Sequence, residues 1–184
     1  FVETSSESEY HLLEPWIQWY SFYTKLPFAK HNTFNLGDCL KNSHDNFLED
    51  YALEGNSVGV FGAMNLKNSK NFKVYIPDPW TENSAIGGLS YELVSHALNE
   101  VVNENAKLKL SLKSILGLIL LIGIPTSFSH IKMIFLSVIS FIKKDRAKLA
   151  ALFDYFLAIY SLRKSKKNKL DLTIFFMNGL AHIQ

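Results

Sequence analysis

The sequence predicts a mixed α/β domain, and three observations lead to that expectation. Short Val- and Phe-rich runs bounded by glycine, asparagine or proline occur at residues 57–62 (SVGVFG), 72–76 (FKVYI) and 170–177 (LDLTIFFM), as buried strands do. Elsewhere apolar residues recur at the three- and four-residue spacing of amphipathic helices. Strand, loop and strand followed by several helices argue for a sheet with helices packed on it. At 184 residues the chain is long enough to bury a core of ordinary size.

Residues 1–9 (FVETSSESE) are polar and read as a loop. An aromatic segment follows at 14–38 (EPWIQWYSFYTKLPFAKHNTFNLGD). Pro15 suits the first turn of a helix, where its missing N–H costs nothing. Trp16, Trp19, Tyr20 and Tyr23 recur at helical spacing, and Pro27 ends that helix. Asp45 is the expected N-cap of a short helix reaching Glu54, with Gly55 as its stop. The strand at 57–62 leads into the loop Ala63-Met64-Asn65. The strand at 72–76 runs into Pro77-Asp78-Pro79-Trp80, a rigid turn that cannot continue a sheet. Ligands of open α/β sheets bind at the C-terminal strand ends, which places Asn65 and Asp78 near a prospective site.

Ser90 is the expected cap of a helix reaching about Asn105, with Leu93, Val94, Ala97 and Leu98 on its apolar face. His96 lies on that helix as a packed or surface histidine. Residues 114–130 lack Asp, Glu, Lys and Arg, but the apolar core stops at Pro125, well short of the ~20 residues a spanning helix needs. Two buried helices are therefore expected over 114–142, with a membrane-embedded hairpin as the alternative that this length disfavours. A third helix is expected over 145–162, then a basic loop at 163–169 and the strand at 170–177. The chain divides into the N-terminal part of an α/β domain (1–89), a helical insertion (90–169), and a return strand with its loop (170–184).

Net charge is +2, which removes any global electrostatic case for nucleic acid. The charge is uneven: residues 1–56 are acid-rich and residues 143–169 basic, the latter read as a solvated helix face and loop. Cys39 is the only cysteine, so no internal disulfide forms, and no motif supports a thiol nucleophile. A single thiol and no visible cleavable signal fit a cytoplasmic location. The sequence starts at Phe1 and stops at Gln184 just past an apolar run, and it reads as an internal piece of a longer protein.

Thr24-Lys25-Leu26-Pro27-Phe28-Ala29-Lys30-His31-Asn32 resembles the segment that follows the nucleophile in the alkaline phosphatase superfamily, especially its phosphodiesterase and sulfatase branches. There the chain reads Thr-Gly-x-x-Pro-x-x-His-Gly, so Lys25 and Asn32 stand where that family has glycine. Asn178-x-x-Ala181-His182, after the last strand, resembles the metal-binding Asp-x-x-Gly-His of the phosphodiesterase branch. With VGVFGAMN and YIPDPW, these segments look like a bacterial group of alkaline phosphatase-like proteins. The resemblance implies a three-layer αβα sheet with a helical insertion and hydrolysis of an anionic phosphate or sulfate ester. It also implies a divalent metal (zinc, manganese or calcium) held by His182 and Asn178. The chemistry favours His182, since imidazole is a common ligand for such metals, over the uncharged carbonyl of Asn178.

The departures shape the functional alternatives. The nucleophile position falls on Pro15, between Glu14 and Trp16, and none of these is a hydroxyl or thiol. Glu14 and Gln18 are the nearest polar candidates for catalysis. Glu14 can bind metal or act as a base, or simply be a helix-start carboxylate favoured by the dipole. No strand ending in the family's first metal-binding Asp lies within residues 1–13, and its later Asp-His pair lies downstream of Gln184. The alternatives are a degenerate, non-catalytic relative that binds a partner or glycan precursor, and a membrane-associated scaffold.

Overall fold

Strands β1 (Val58–Ala63), β2 (Val74–Pro77) and β3 (Leu172–Phe175) form a parallel sheet in the order β2-β1-β3. The computed structural model describes residues 9–42, 44–103, 110–125, 127–143 and 145–177. Every residue of β1 is buried, as expected of a central parallel strand covered on both faces. Successive side chains on β1 point to opposite faces and so feed two separate cores. Val58 and Val60 pack with Tyr75, Tyr23 of α1 (Pro15–Thr24) and Leu48 of α3 (Phe47–Leu53). The short α2 (Phe28–His31) lies between those two helices in the chain.

Phe61 points the other way, with Val74 and Ile76 of β2. That core is covered by Tyr91, Val94 and Leu98 of α4 (Leu89–Asn103), Leu121 of α5 (Leu112–Ile122) and Phe156, Leu157 and Tyr160 of α7 (Arg146–Asn168). α6 (Phe128–Ile142) adds half-buried residues, Met133, Ile134 and Leu136. α5 approaches α4 at Gly117, where an added Cβ would overlap the Leu93 carbonyl oxygen and lie 2.7 Å from the Ala97 Cβ. Glycine is the residue that lets these two backbones meet.

Both ends of α5 are tied to its neighbours. At the N-terminus, Glu100 of α4 accepts from the Ser111 amide (3.0 Å), the Ser111 hydroxyl (2.7 Å) and the Ser114 hydroxyl. At the C-terminus, Arg163 of α7 donates to the carbonyls of Ile122 and Ile124, each at 3.1 Å. Arg163 also lies 3.1 Å from His130 Nδ1, which must accept because a guanidinium only donates.

Several sequence expectations are corrected here. Asn46, not Asp45, caps α3: its side-chain oxygen accepts from the Glu49 amide at 3.0 Å. The basic stretch 163–169 is not a loop, because α7 continues through Asn168 and ends at left-handed Lys169. Its cations are used in the fold: Arg163 caps α5, and Lys164 sits 4.6 Å over the Tyr91 ring. The last strand is shorter than expected and half-buried, since it is β1's outer neighbour and, among the described residues, no strand pairs with its far side. The two apolar segments at 114–142 form helices, but those helices are not buried, and much of their apolar surface faces outward. No helix among the described residues is long and apolar enough to cross a membrane.

Candidate functional site

The parallel sheet delivers its strand ends to one edge, and Asn65 holds that edge together. Two residues past β1, Asn65 takes a left-handed backbone (φ +55°) that asparagine tolerates better than most residues. It is fully buried. Its Oδ1 accepts from the amides of Gly37 (3.1 Å) and Cys39 (3.3 Å). Its Nδ2 donates to the carbonyls of Trp16 (3.3 Å) and Asn35 (3.2 Å). One amide side chain thus joins the first turn of α1, the 35–39 turn and the end of β1.

The Asn65 backbone amide donates in turn to Asp78 Oδ2 at 3.0 Å. Asp78 follows β2 and is 1 % exposed. The Thr81 hydroxyl also donates to Oδ2 (2.6 Å), and the amides of Trp80 and Thr81 donate to Oδ1 (both 3.0 Å). These four donors favour the ionised form, but burial outweighs them and raises the carboxyl above its ordinary 3.8. Just above pH 3.8 the native chain keeps a proton that the unfolded chain has lost. Asp78 therefore lowers stability as pH rises through that window. Asp78 is brought to the edge as expected, with both carboxylate oxygens already bonded within the chain.

α1 presents its N-terminal end to the same edge through the Trp16 carbonyl. Glu14 precedes its first turn, and its carbonyl accepts from the amides of Ile17 and Gln18. The Glu14 side chain makes no capping bond. Gln18 is exposed, and its Nε2 donates to the Leu12 carbonyl at 2.7 Å. Neither side chain joins the Asn65–Asp78 network.

Lys25 and Asn32 are both left-handed, at φ +59° and +50°. They are the two positions where the resembled motif carries glycine, the residue that takes this conformation without steric cost. Between them in the motif stands His31, fully enclosed, whose importance the sequence reading missed. Its Nδ1 accepts from the Thr33 amide (3.0 Å), so Nε2 carries the proton that faces the Ser21 hydroxyl at 2.8 Å. Burial, then nearby His44, lowers its pKa. The signal available in the sequence was the motif itself, not any ligand-like clustering. The Asp78-Pro-Trp-Thr81 turn also had a readable capping pattern.

β3 runs parallel to β1, and the Phe176 amide extends its ladder to the Phe61 carbonyl at 3.1 Å. The Phe176 ring meets Trp19 of α1 edge-on, centroids 5.3 Å apart. β3 therefore leaves the sheet at the edge that holds Asn65 and Asp78. Asn178 and His182 lie outside the described residues. Among the described residues no group of three His, Cys, Asp or Glu can hold a metal ion. Asn65 and Asp78 do not fit that role, because their polar atoms are already bonded within the chain. Cys39 is buried and its thiol is pushed up to about 12, chiefly by that burial, so it is an inert thiol at neutral pH.

A cavity of about 360 Å³ opens beside β2, between the 77–85 loop and α4. Glu82 and Glu92 line it, with His96 and Asn99, a wall suited to a cation or a neutral polar molecule rather than to an anion. Comparison of the chain with known protein families, with curated proteins and with solved structures finds no match.

Asn65→Asp keeps the shape but turns a donor into an acceptor facing the Trp16 and Asn35 carbonyls. It is expected to destabilise the fold by about 3 kcal/mol or more, as for other broken buried polar networks. Denaturant unfolding measures this, and a loss below about 1 kcal/mol, the worth of one ordinary hydrogen bond, would refute the stapling role. Lys25→Gly should instead stabilise by about 0.5–1 kcal/mol, the left-handed penalty less glycine's added freedom when unfolded. A net loss there would mean that the Lys25 backbone is not held left-handed.

Proposed function

We propose that the C-terminal edge of the sheet forms part of the substrate site of a phosphoric or sulfuric ester hydrolase of alkaline phosphatase type, within a larger three-layer αβα sheet. One observation carries this reading: the head of α1, the Asn65–Asp78 network and the exit of β3 converge on a single sheet edge. That is where open α/β sheets bind ligands. The left-handed backbones of Lys25 and Asn32 support the same reading, since a glycine-bearing motif would need that conformation at both places.

In this proposal the chain supplies placement. The positive end of the α1 dipole faces the edge and favours an anionic ester group near it. Asn65 and Asp78 fix where α1 and the 35–39 turn stand, and contribute no ligand of their own. A divalent metal, if held, would be held by His182 with Asn178, and would polarise the ester. Glu14 is the nearest carboxylate to the start of α1 and the proposed base. The acidic cavity beside α4 adjoins this edge, since Asp78 and Thr81 also line it, but its carboxylates disfavour an anionic ester there.

A second, non-catalytic reading has its own support. Both Asp78 oxygens are satisfied internally, and the first turn of α1 offers Pro15, Trp16 and Ile17, with no hydroxyl or thiol. The two readings separate on a panel of chromogenic phosphodiesters and sulfate esters, assayed with zinc, manganese or calcium on the protein as its gene encodes it. The hydrolase reading expects turnover that falls about 100-fold or more in Glu14→Gln, the scale of a lost general base. It also expects His182→Ala to lower the bound metal content. No turnover on any ester, with metal content unchanged in His182→Ala, would reject it in favour of the binding protein.

A further inference from the structure

α5 and α6 turn rows of large apolar side chains toward solvent. On α5, Leu112, Leu116 and Ile119 are 80, 53 and 60 % exposed. On α6, Phe128, Phe135 and Ile142 are 83, 64 and 73 % exposed, and the turn between the helices projects Ile124 at 82 %. The spacings are four and three residues on α5 and seven on α6, so each set forms one continuous stripe. Scattered exposed leucines are ordinary, but stripes on two successive helices mark an interaction surface.

The charge around these stripes selects the partner. Residues 105–144 contain no Asp or Glu and six lysines (Lys107, Lys109, Lys113, Lys132, Lys143 and Lys144), although the whole chain carries 17 acids against 19 Lys and Arg. Lys113, Lys132 and Lys143 are exposed and flank the stripes. Such side chains lay their methylene stems along apolar surface and lift the ammonium to a polar boundary. The charged side chains of the hairpin itself are all lysines, with Glu100 and Asp145 standing at its two ends. An apolar stripe that carries cations of its own matches a surface that is apolar below and anionic above.

We infer that the α5–α6 hairpin lies in the plane of an anionic lipid bilayer, with its stripes among the upper acyl chains and its lysines at the headgroup phosphates. At 11 residues α5 is about 16 Å long, against the ~30 Å of hydrocarbon a spanning helix must cross. The geometry is therefore that of an interfacial element rather than a spanning one. The hairpin is presented ready-made: Glu100 and Arg163 anchor the two ends of α5.

Vesicle flotation tests this with the protein as its gene encodes it. Phosphatidylcholine vesicles with about one-third phosphatidylglycerol should carry it, pure phosphatidylcholine vesicles should carry less, and about 0.5 M NaCl should weaken the binding. The double variant Ile119→Asp with Phe135→Asp should bind about tenfold more weakly or worse, since charge in the apolar face opposes insertion. Leu53→Asp, at a 67 % exposed position on α3, should bind as the unaltered protein does. Circular dichroism confirms that each variant is folded. The inference is overturned if the unaltered protein stays with the soluble fraction at every salt, or if the double variant floats equally well. It is also overturned if sedimentation without lipid shows a dimer that the double variant dissociates while neither protein binds vesicles. A second copy would then cover the face.

Discussion

A buried asparagine amide has two acceptor sites and two donors, and leaving any of them unpaired inside a protein costs more than a formed bond returns. Asn65 meets that constraint by drawing two separate pieces of chain, the first turn of α1 and the 35–39 turn, onto the end of β1. The left-handed turn at Asn65 aims the side chain back across the strand ends. Its own amide then fixes Asp78, so β1 and β2 are joined beyond their last ladder bond. The position of α1 follows from this contact, and so does the packing of Tyr23 and Trp19 over the sheet. What can happen chemically at the edge is bounded by the same fact. Groups that hold the edge together are not free to hold a substrate.

The opposite face of the sheet is governed by area rather than by polar bonding. Three strands offer a small apolar surface, and α4, α5 and α7 already cover it through Phe61, Val74 and Ile76. α6 packs mainly on α7, and its outer stripe has nothing left to cover within the described residues. Among the described residues, the three strands and their helices therefore leave the outer faces of the hairpin uncovered.

Much of the fold was legible in the sequence, for identifiable reasons. The two strands at β1 and β2 are β-branched and aromatic runs bounded by turn residues, and both lie within two residues of their expected limits. Pro15 and Pro27 bracket α1 as their missing amides require. The end of α7 was missed because Arg163 to Asn168 look like loop residues until Arg163 is seen bonding the end of α5. The exposure of α5 and α6 was missed because an apolar helix reads as buried unless its partners are known. At the candidate site, the edge placement of Asn65 and Asp78 followed from strand ends alone. Their saturation did not, because it depends on Gly37, Cys39 and Thr81 meeting them from other turns. The left-handed Lys25 was hidden because lysine does not announce a positive φ, whereas Asn32 is a residue type that tolerates it.

The most direct test of this account is native-state hydrogen exchange on the amides of Gly37, Cys39 and Asn65, the three that bond to Asn65 Oδ1 and Asp78 Oδ2. If the network holds the edge as one unit, these amides exchange only with the global unfolding that also releases Val60 and Phe61 of β1. If the Gly37 and Cys39 amides exchange instead through a local opening while β1 stays protected, the 35–39 turn moves independently of the sheet. Asn65 would then not be the interaction on which the edge depends.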